Sequence, residues 1–286
     1  MLERSGIMEY VKLYNGLTMP IFGIGTYLLS PDEAEKSVFA ALECGYRLID
    51  TANMYANEKA VGRAIKDSGL QRSEIFLETK IWPTHYTDEN AIDRTLERLG
   101  TDYIDLLLIH QPTGDFISGY RMLEKAYREG KVRSIGLSNF TQQEMCRMMN
   151  VCSIKPAVLQ TELHPYSGEQ ELKKFLNLQD IRIQAWYPLG HGDSKLISEP
   201  IFTRLAKKYG KTNAQIILRW HVQEGNIVIP GSKSPDHIRE NIDIFDFELT
   251  ESEMLNIGAI DRGERYYKRS PERFERYLNM KIPFED

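Results

Sequence analysis

From Pro20 onward the chain alternates short apolar runs with longer stretches whose apolar positions recur every three or four residues. The short runs fall at 21–26, 46–50, 75–80, 104–110, 133–138, 157–161, 182–187 and 226–230. The helical pattern fills 31–44, 57–68, 88–99, 117–129, 141–149, 169–177, 198–209 with 212–224, and 235–243. Strands alternating with amphipathic helices signal βαβ units and a parallel sheet. Eight such alternations predict an α/β fold of the (β/α)8, or TIM-barrel, kind.

Local signals support the pattern. Ser30-Pro31-Asp32-Glu33 sets a cap, a first-turn proline and acids in order. Thr141-Gln142-Gln143-Glu144 has capping-box spacing, and Thr212 and Ser234-Pro235 read alike. Ahead of the first repeat, Val11–Tyr14 and Leu17–Met19 flank Asn15-Gly16, which predicts a β-hairpin with a type I′ turn. After the eighth unit, 251–286 reads as a helix and then a polar, aromatic tail able to fold back over the barrel mouth. No linker or low-complexity stretch divides 1–286, so one barrel domain is expected, with 1–8 a flexible leader.

Composition narrows the classes. Hydrophobic residues make up 42% and charged residues 27%, ordinary for a globular chain. A net charge of −5 argues against a nucleic-acid partner held through phosphates. No apolar run reaches membrane-spanning length and no signal-peptide core is seen, so a cytoplasmic protein away from membranes is expected. Cys44, Cys146 and Cys152 lack zinc or redox-motif spacing, so reduced thiols and no metal are expected.

Four polar residues stand just past apolar strand runs: Asp50, Tyr55, Lys80 and His110. In a parallel barrel such strand ends converge on one mouth. Tyrosine is a poor acid, with an ordinary pKa of about 10. A lysine beside it is expected to lower that value, and an aspartate to hold the lysine. A histidine can orient and polarise a carbonyl while the tyrosine gives the proton. The hydride must then come from a nicotinamide. Singly, each has a plainer reading: Asp50 as a cap, Tyr55 as packing, Lys80 as a surface charge and His110 as a satisfied core histidine. Jointly they point to carbonyl reduction.

The segment Gly45-Tyr46-Arg47-Leu48-Ile49-Asp50-Thr51-Ala52-Asn53-Met54-Tyr55-Ala56-Asn57-Glu58 closely resembles the signature of the aldo-keto reductase family. So do Ile109-His110-Gln111-Pro112, Ile135-Gly136-Leu137-Ser138-Asn139-Phe140 and Gln160-Thr161-Glu162-Leu163-His164-Pro165. The likeness runs from about Val11 to Asp261. Ala185-Trp186-Tyr187-Pro188-Leu189-Gly190 and Arg262-Gly263-Glu264-Arg265-Tyr266-Tyr267 resemble the bacterial 2,5-diketogluconate/methylglyoxal reductase branch.

The resemblance implies NADPH or NADH as cofactor, a small carbonyl substrate, and a monomer or weak dimer. It implies Tyr55 as proton donor, with Asp50 and Lys80 in support and His110 orienting the carbonyl. Ser138, Asn139 and Gln160 match the positions that hold the carboxamide, and Trp186 the one that stacks on the ring. Thr26, Asp50, Leu189, Ser232, Lys233, His237, Glu240 and Asn241 match further cofactor positions. Tyr27, Trp82, His110 and Gln111 match the substrate pocket, with His85 and Tyr86 nearby. Gln111 replaces a bulky aromatic, which implies a more polar pocket. NADPH-preferring relatives usually carry lysine where Gly231 stands and arginine where His237 stands. Their absence implies relaxed cofactor choice or an NADH preference, unless Lys233 and Arg239 swing in. Gly23-Ile24-Gly25 lacks the third glycine of a dinucleotide fingerprint and reads as the end of strand one.

Two other readings remain at this stage. One is a cofactor-binding regulatory subunit without turnover. The other is a barrel lyase using Lys80 as a Schiff base.

Overall fold

The computed structural model describes residues 8–282; most of the expected leader lies outside them. A hairpin of β1 (Tyr10–Lys12) and β2 (Thr18–Pro20) leads into an eight-stranded sheet. Its strands are β3 (Gly23–Gly25), β4 (Leu48–Asp50), β5 (Phe76–Ile81), β6 (Leu106–Ile109), β7 (Ile135–Ser138), β8 (Val158–Glu162), β9 (Arg182–Trp186) and β10 (Ile227–Val228). Neighbours pair in parallel in chain order. A parallel bridge from Phe22 to Val228 closes the ring. The predicted (β/α)8 barrel is therefore the fold.

Helices return the chain between strands: α1 (Pro31–Glu43), α2 (Glu58–Asp67), α3 (Ala91–Leu99), α4 (Phe116–Arg128), α5 (Gln142–Met149), α6 (Gln170–Leu178), the short α7 (Ser194–Ile197), α8 (Pro200–Tyr209), α9 (Asn213–Gln223) and α10 (Pro235–Ile242). The expected caps form at Ser30, Thr141, Thr212 and Ser234, and at the first three the cap is a capping box. Two helices follow the barrel, α11 (Glu251–Gly258) and α12 (Pro271–Leu278). The second was read as irregular tail, although Ser270 caps it as Ser234 caps α10.

The hairpin turn differs from expectation. Gly16 N–H bonds Leu13 O and Leu13 N–H bonds Leu17 O, leaving a three-residue loop. Gly16 has φ +91°, while Asn15 has no positive φ. A type I′ turn needs both central residues positive, so the loop is instead a turn closed by a left-handed glycine.

Strand alternation builds the interior. Leu48, Phe76, Leu106, Leu108, Val158 and Ile227 form a floor, plugged from below by Leu13 and Met19 of the hairpin region. Their neighbours Ile49, Leu77, Leu107 and Leu159 face the helices. One step up each strand, the inward positions become polar: Asp50, Glu78, Gln160 and Gln184, all enclosed. Lys80 and His110 come next, at the C-terminal mouth.

Candidate active site

The mouth gathers the four expected residues. Asp50 ends β4, and Tyr55 follows in a single 3-10 turn, Asn53–Tyr55. Asn53 fixes that turn by accepting the Trp82 backbone N–H at 3.1 Å. Lys80 is the last inward residue of β5 and is fully buried. Its Nζ donates to Asp50 Oδ1 at 2.5 Å, Thr51 O at 2.8 Å and the Tyr55 hydroxyl at 3.3 Å. His110 lies edge-on to Tyr55 and Trp82, with ring centroids 5.7 and 4.9 Å away.

Burial sets the protonation states. The His110 pKa is pushed well below the ordinary histidine value, by desolvation first and the Lys80 charge second. The imidazole is therefore neutral at pH 7, and its Nδ1 has no partner among the described residues. Tyr55 departs from expectation: its pKa lies well above 10, raised by burial and then by Asp50. The lowering expected from Lys80 does not prevail: burial outweighs it, and Asp50, 2.5 Å from the ammonium, offsets its charge. The phenol keeps its proton at neutral pH.

An open cavity of about 660 Å³ runs from these residues to the segment after β10. The expected pocket residues Tyr27, Trp82, His110 and Gln111 line it. So do Asp50, Ser138, Asn139, Gln160, Trp186, Leu189, Ser232 and Lys233. Asn139, at φ +67°, donates to His110 O and accepts from Trp186 Nε1 at 3.0 Å. Gln160 Nε2 is engaged below by Asp50, Glu78 and Gln184.

Four expected cofactor residues stand off the cavity wall. Thr26 is enclosed, its hydroxyl donating to Asp50 O at 3.1 Å. His237 is exposed on α10, and Glu240 accepts the capping Thr212 hydroxyl at 2.7 Å. Asn241 is buried behind the loop. Neither spare cation stands free: Lys233 meets Glu33 at 3.3 Å and Arg239 meets Asp236 at 3.4 Å. Of the nearby loop residues, Tyr86 sits behind the pocket. It donates to Gln111 O and accepts from Gln111 N–H, while His85 lies off the wall.

The tail covers the mouth as expected. Glu162 accepts the Tyr266 and Tyr267 backbone N–H groups at 2.6 and 3.0 Å. Trp82 Nε1 donates to Tyr277 O at 3.1 Å, and Tyr267 reaches Gln111 Oε1 at 3.2 Å. Sequence reading missed Glu78, Gln184 and Arg273 of this region. Glu78 was findable: it stands two residues before Lys80, hence on the same strand face.

Residues 21–262 match the profile of the Aldo/keto reductase family. The chain belongs to that family. A glyoxal reductase of Bacillus subtilis is 42% identical over 91% of this chain and 96% of its own length. Methylglyoxal reductase DkgA of Yersinia pestis is 40% identical over 89% and 94%. A solved Bombyx mori aldo-keto reductase, in complex with NADP, is 32% identical with a TM-score of 0.87, over 91% and 95%. This aldo/keto reductase is thus an NAD(P)H-dependent oxidoreductase acting on carbonyls. No helix among its described residues is long and apolar enough to cross a membrane.

Proposed function

We propose that the protein reduces small polar aldehydes and ketones, glyoxal-type dicarbonyls among them, with Tyr55 as the proton donor. The observation that carries this is the Lys80 ammonium, bonded at once to Asp50 and Tyr55 beside a neutral histidine. The donor set fits a nicotinamide: two amides at Asn139 and Gln160 and a hydroxyl at Ser138, with a flat indole at Trp186. A reduced nicotinamide held there would supply the hydride.

The chain's own residues do the rest. His110 donates an N–H to the substrate oxygen and holds the carbonyl toward Tyr55. Tyr55 passes its proton to that oxygen as negative charge develops. Lys80, fixed by Asp50, lies close enough to stabilise the phenolate left behind. Ser232 would hold the phosphate end, with Lys233 beside it once released from Glu33. The side chains of Trp82, Trp186 and Tyr267 form aromatic walls around the reacting centre.

Gly231 and His237 leave no charged clamp for a 2′-phosphate, and Lys233 and Arg239 are paired with acids. Each lost charged hydrogen bond weakens binding by about 1.5–3 kcal/mol. Cofactor choice is therefore relaxed or leans to NADH. The enclosed ion pair of Lys80 disfavours the Schiff-base reading, which needs a neutral amine open to substrate.

The test is a panel of aldehydes, ketones and sugars run with NADH and NADPH. Turnover of glyoxal or methylglyoxal separates the enzyme from a silent cofactor-binding subunit. An NADPH preference above about a hundredfold, roughly 2.7 kcal/mol, overturns the cofactor reading.

A further inference from the structure

Glu78 has no place in the mechanism above, yet it lies at its centre. It pairs in register with Asp50 across β4 and β5 and faces the same side as Lys80. It is fully enclosed. Its Oε1 accepts from Gln184 Nε2 at 2.6 Å and from Gln160 Nε2 at 3.3 Å. Its Oε2 receives no donor among the described residues.

The charges around it do not balance if it is ionised. The groups facing it are Asp50 from β4, Lys80 from its own strand, Tyr55 from the turn above, and the neutral amides of Gln160 and Gln184 from β8 and β9. Lys80 is the one cation among these described groups, and its three donors go to Asp50, Thr51 and Tyr55. None is left for Glu78. A second buried carboxylate without a cation would be strongly disfavoured. Asp50 and Glu78 are register partners on adjacent strands, both inward and both enclosed, so the two carboxyls are neighbours around one ammonium. Two carboxyls sharing such a site cannot both ionise, and one keeps its proton.

We propose that Glu78 stands as a neutral carboxylic acid that donates its proton to Asp50, and so positions the Asp50–Lys80 pair beneath Tyr55. Burial, and then the Asp50 charge, favour that protonated form. Glu78 touches neither the cavity nor a reacting atom; it is a positioning residue. Its bond fixes the Asp50 carboxylate, which fixes the lysine that points at the phenol. The idea rests on the reductase reading of the site.

Three measurements test it on the intact chain. The infrared difference spectrum of wild type against E78Q at pH 7 is expected to show a protonated-carboxyl stretch that E78Q lacks. That readout needs no activity, so it stands even if the reductase reading fails. With glyoxal as substrate, E78Q, which keeps a neutral donor, is expected to retain kcat within about threefold. E78L, with no donor, is expected to lose about a hundredfold in kcat, the scale of a misplaced catalytic group, with cofactor Kd unaltered. Absence of the protonated-carboxyl band overturns the proposal. So does loss in E78Q equal to that in E78L, or full activity in E78L. If E78L does not fold, the spectrum and the E78Q rate decide. Wild type silent toward every carbonyl with either cofactor would instead sink the reductase reading.

Discussion

A Cβ on Gly231 would lie 3.0 Å from the carbonyl oxygen of Gly25. The approach is mutual, since a Cβ on Gly25 would meet Ile229 O at the same distance, and Gly25 N–H bonds Pro230 O at 3.3 Å. This is the seam where β3 meets the chain leaving β10. The missing lysine at 231 therefore has a steric side as well as an electrostatic one. Gly231→Lys should bring charge to the adenosine end but strain the seam, lowering the melting temperature. His237→Arg, on an exposed helix position, should raise the NADPH/NADH ratio of kcat/KM by about tenfold or more without that loss. Equal melting temperatures for the two variants would contradict the seam argument.

Glu33 bears on the same choice. It completes the capping box of α1 and also holds Lys233 at 3.3 Å. Glu33→Gln keeps the cap geometry, removes a negative charge from the cavity edge and frees Lys233. NADPH KM should fall severalfold while NADH KM stays. Steady-state kinetics with both cofactors check this, and unequal change in NADH alone would argue against it.

Tyr55→Phe removes the proton donor while leaving the ring. Turnover should fall by about 10²–10⁴, the range for a general acid. Fluorescence titration should show cofactor affinity within a few-fold of wild type. Retained turnover would move the proton-donor role elsewhere.

Lys80→Met breaks a buried ion pair and leaves Asp50 uncompensated. Loss of one partner of such a pair costs about 3–5 kcal/mol. The urea midpoint should drop accordingly, and kcat should drop with it. Borohydride trapping on wild type with a carbonyl substrate should label nothing at Lys80.

His221 makes stability depend on acid. It is fully buried between Pro188 O and Asn226, and burial lowers its pKa from 6.5 to about 3. The unfolded chain takes up a proton below pH 6.5 that the folded chain refuses until about pH 3. Stability should thus fall as pH falls through that window, by up to about 1.4 kcal/mol per unit from this group. Denaturant midpoints between pH 7 and 5 should decline less steeply in His221→Gln, although that variant starts lower.

Much of this was legible in the residues. The strand and helix periods give the barrel, and the strand-end positions of Asp50, Lys80 and His110 give the mouth. Three things were not. The Tyr55 acidity depends on how Lys80 divides its charge between partners, which distance alone decides. The hairpin turn depends on the sign of φ at Asn15, which Asn-Gly leaves open. The helix at Pro271–Leu278 has a clear Ser-Pro start, but it is short and mostly charged and none of its residues is buried, so no core-facing apolar run marks it.

Glu162 grips the covering segment by two backbone amides rather than by side chains. A main-chain anchor is indifferent to which residue carries it, short of proline. The side chains at 266 and 267 can therefore change, at the loss of their bonds to Asp193 and Gln111, while this main-chain anchor stays made. That makes those two positions the natural handles for retuning which carbonyls the enzyme accepts.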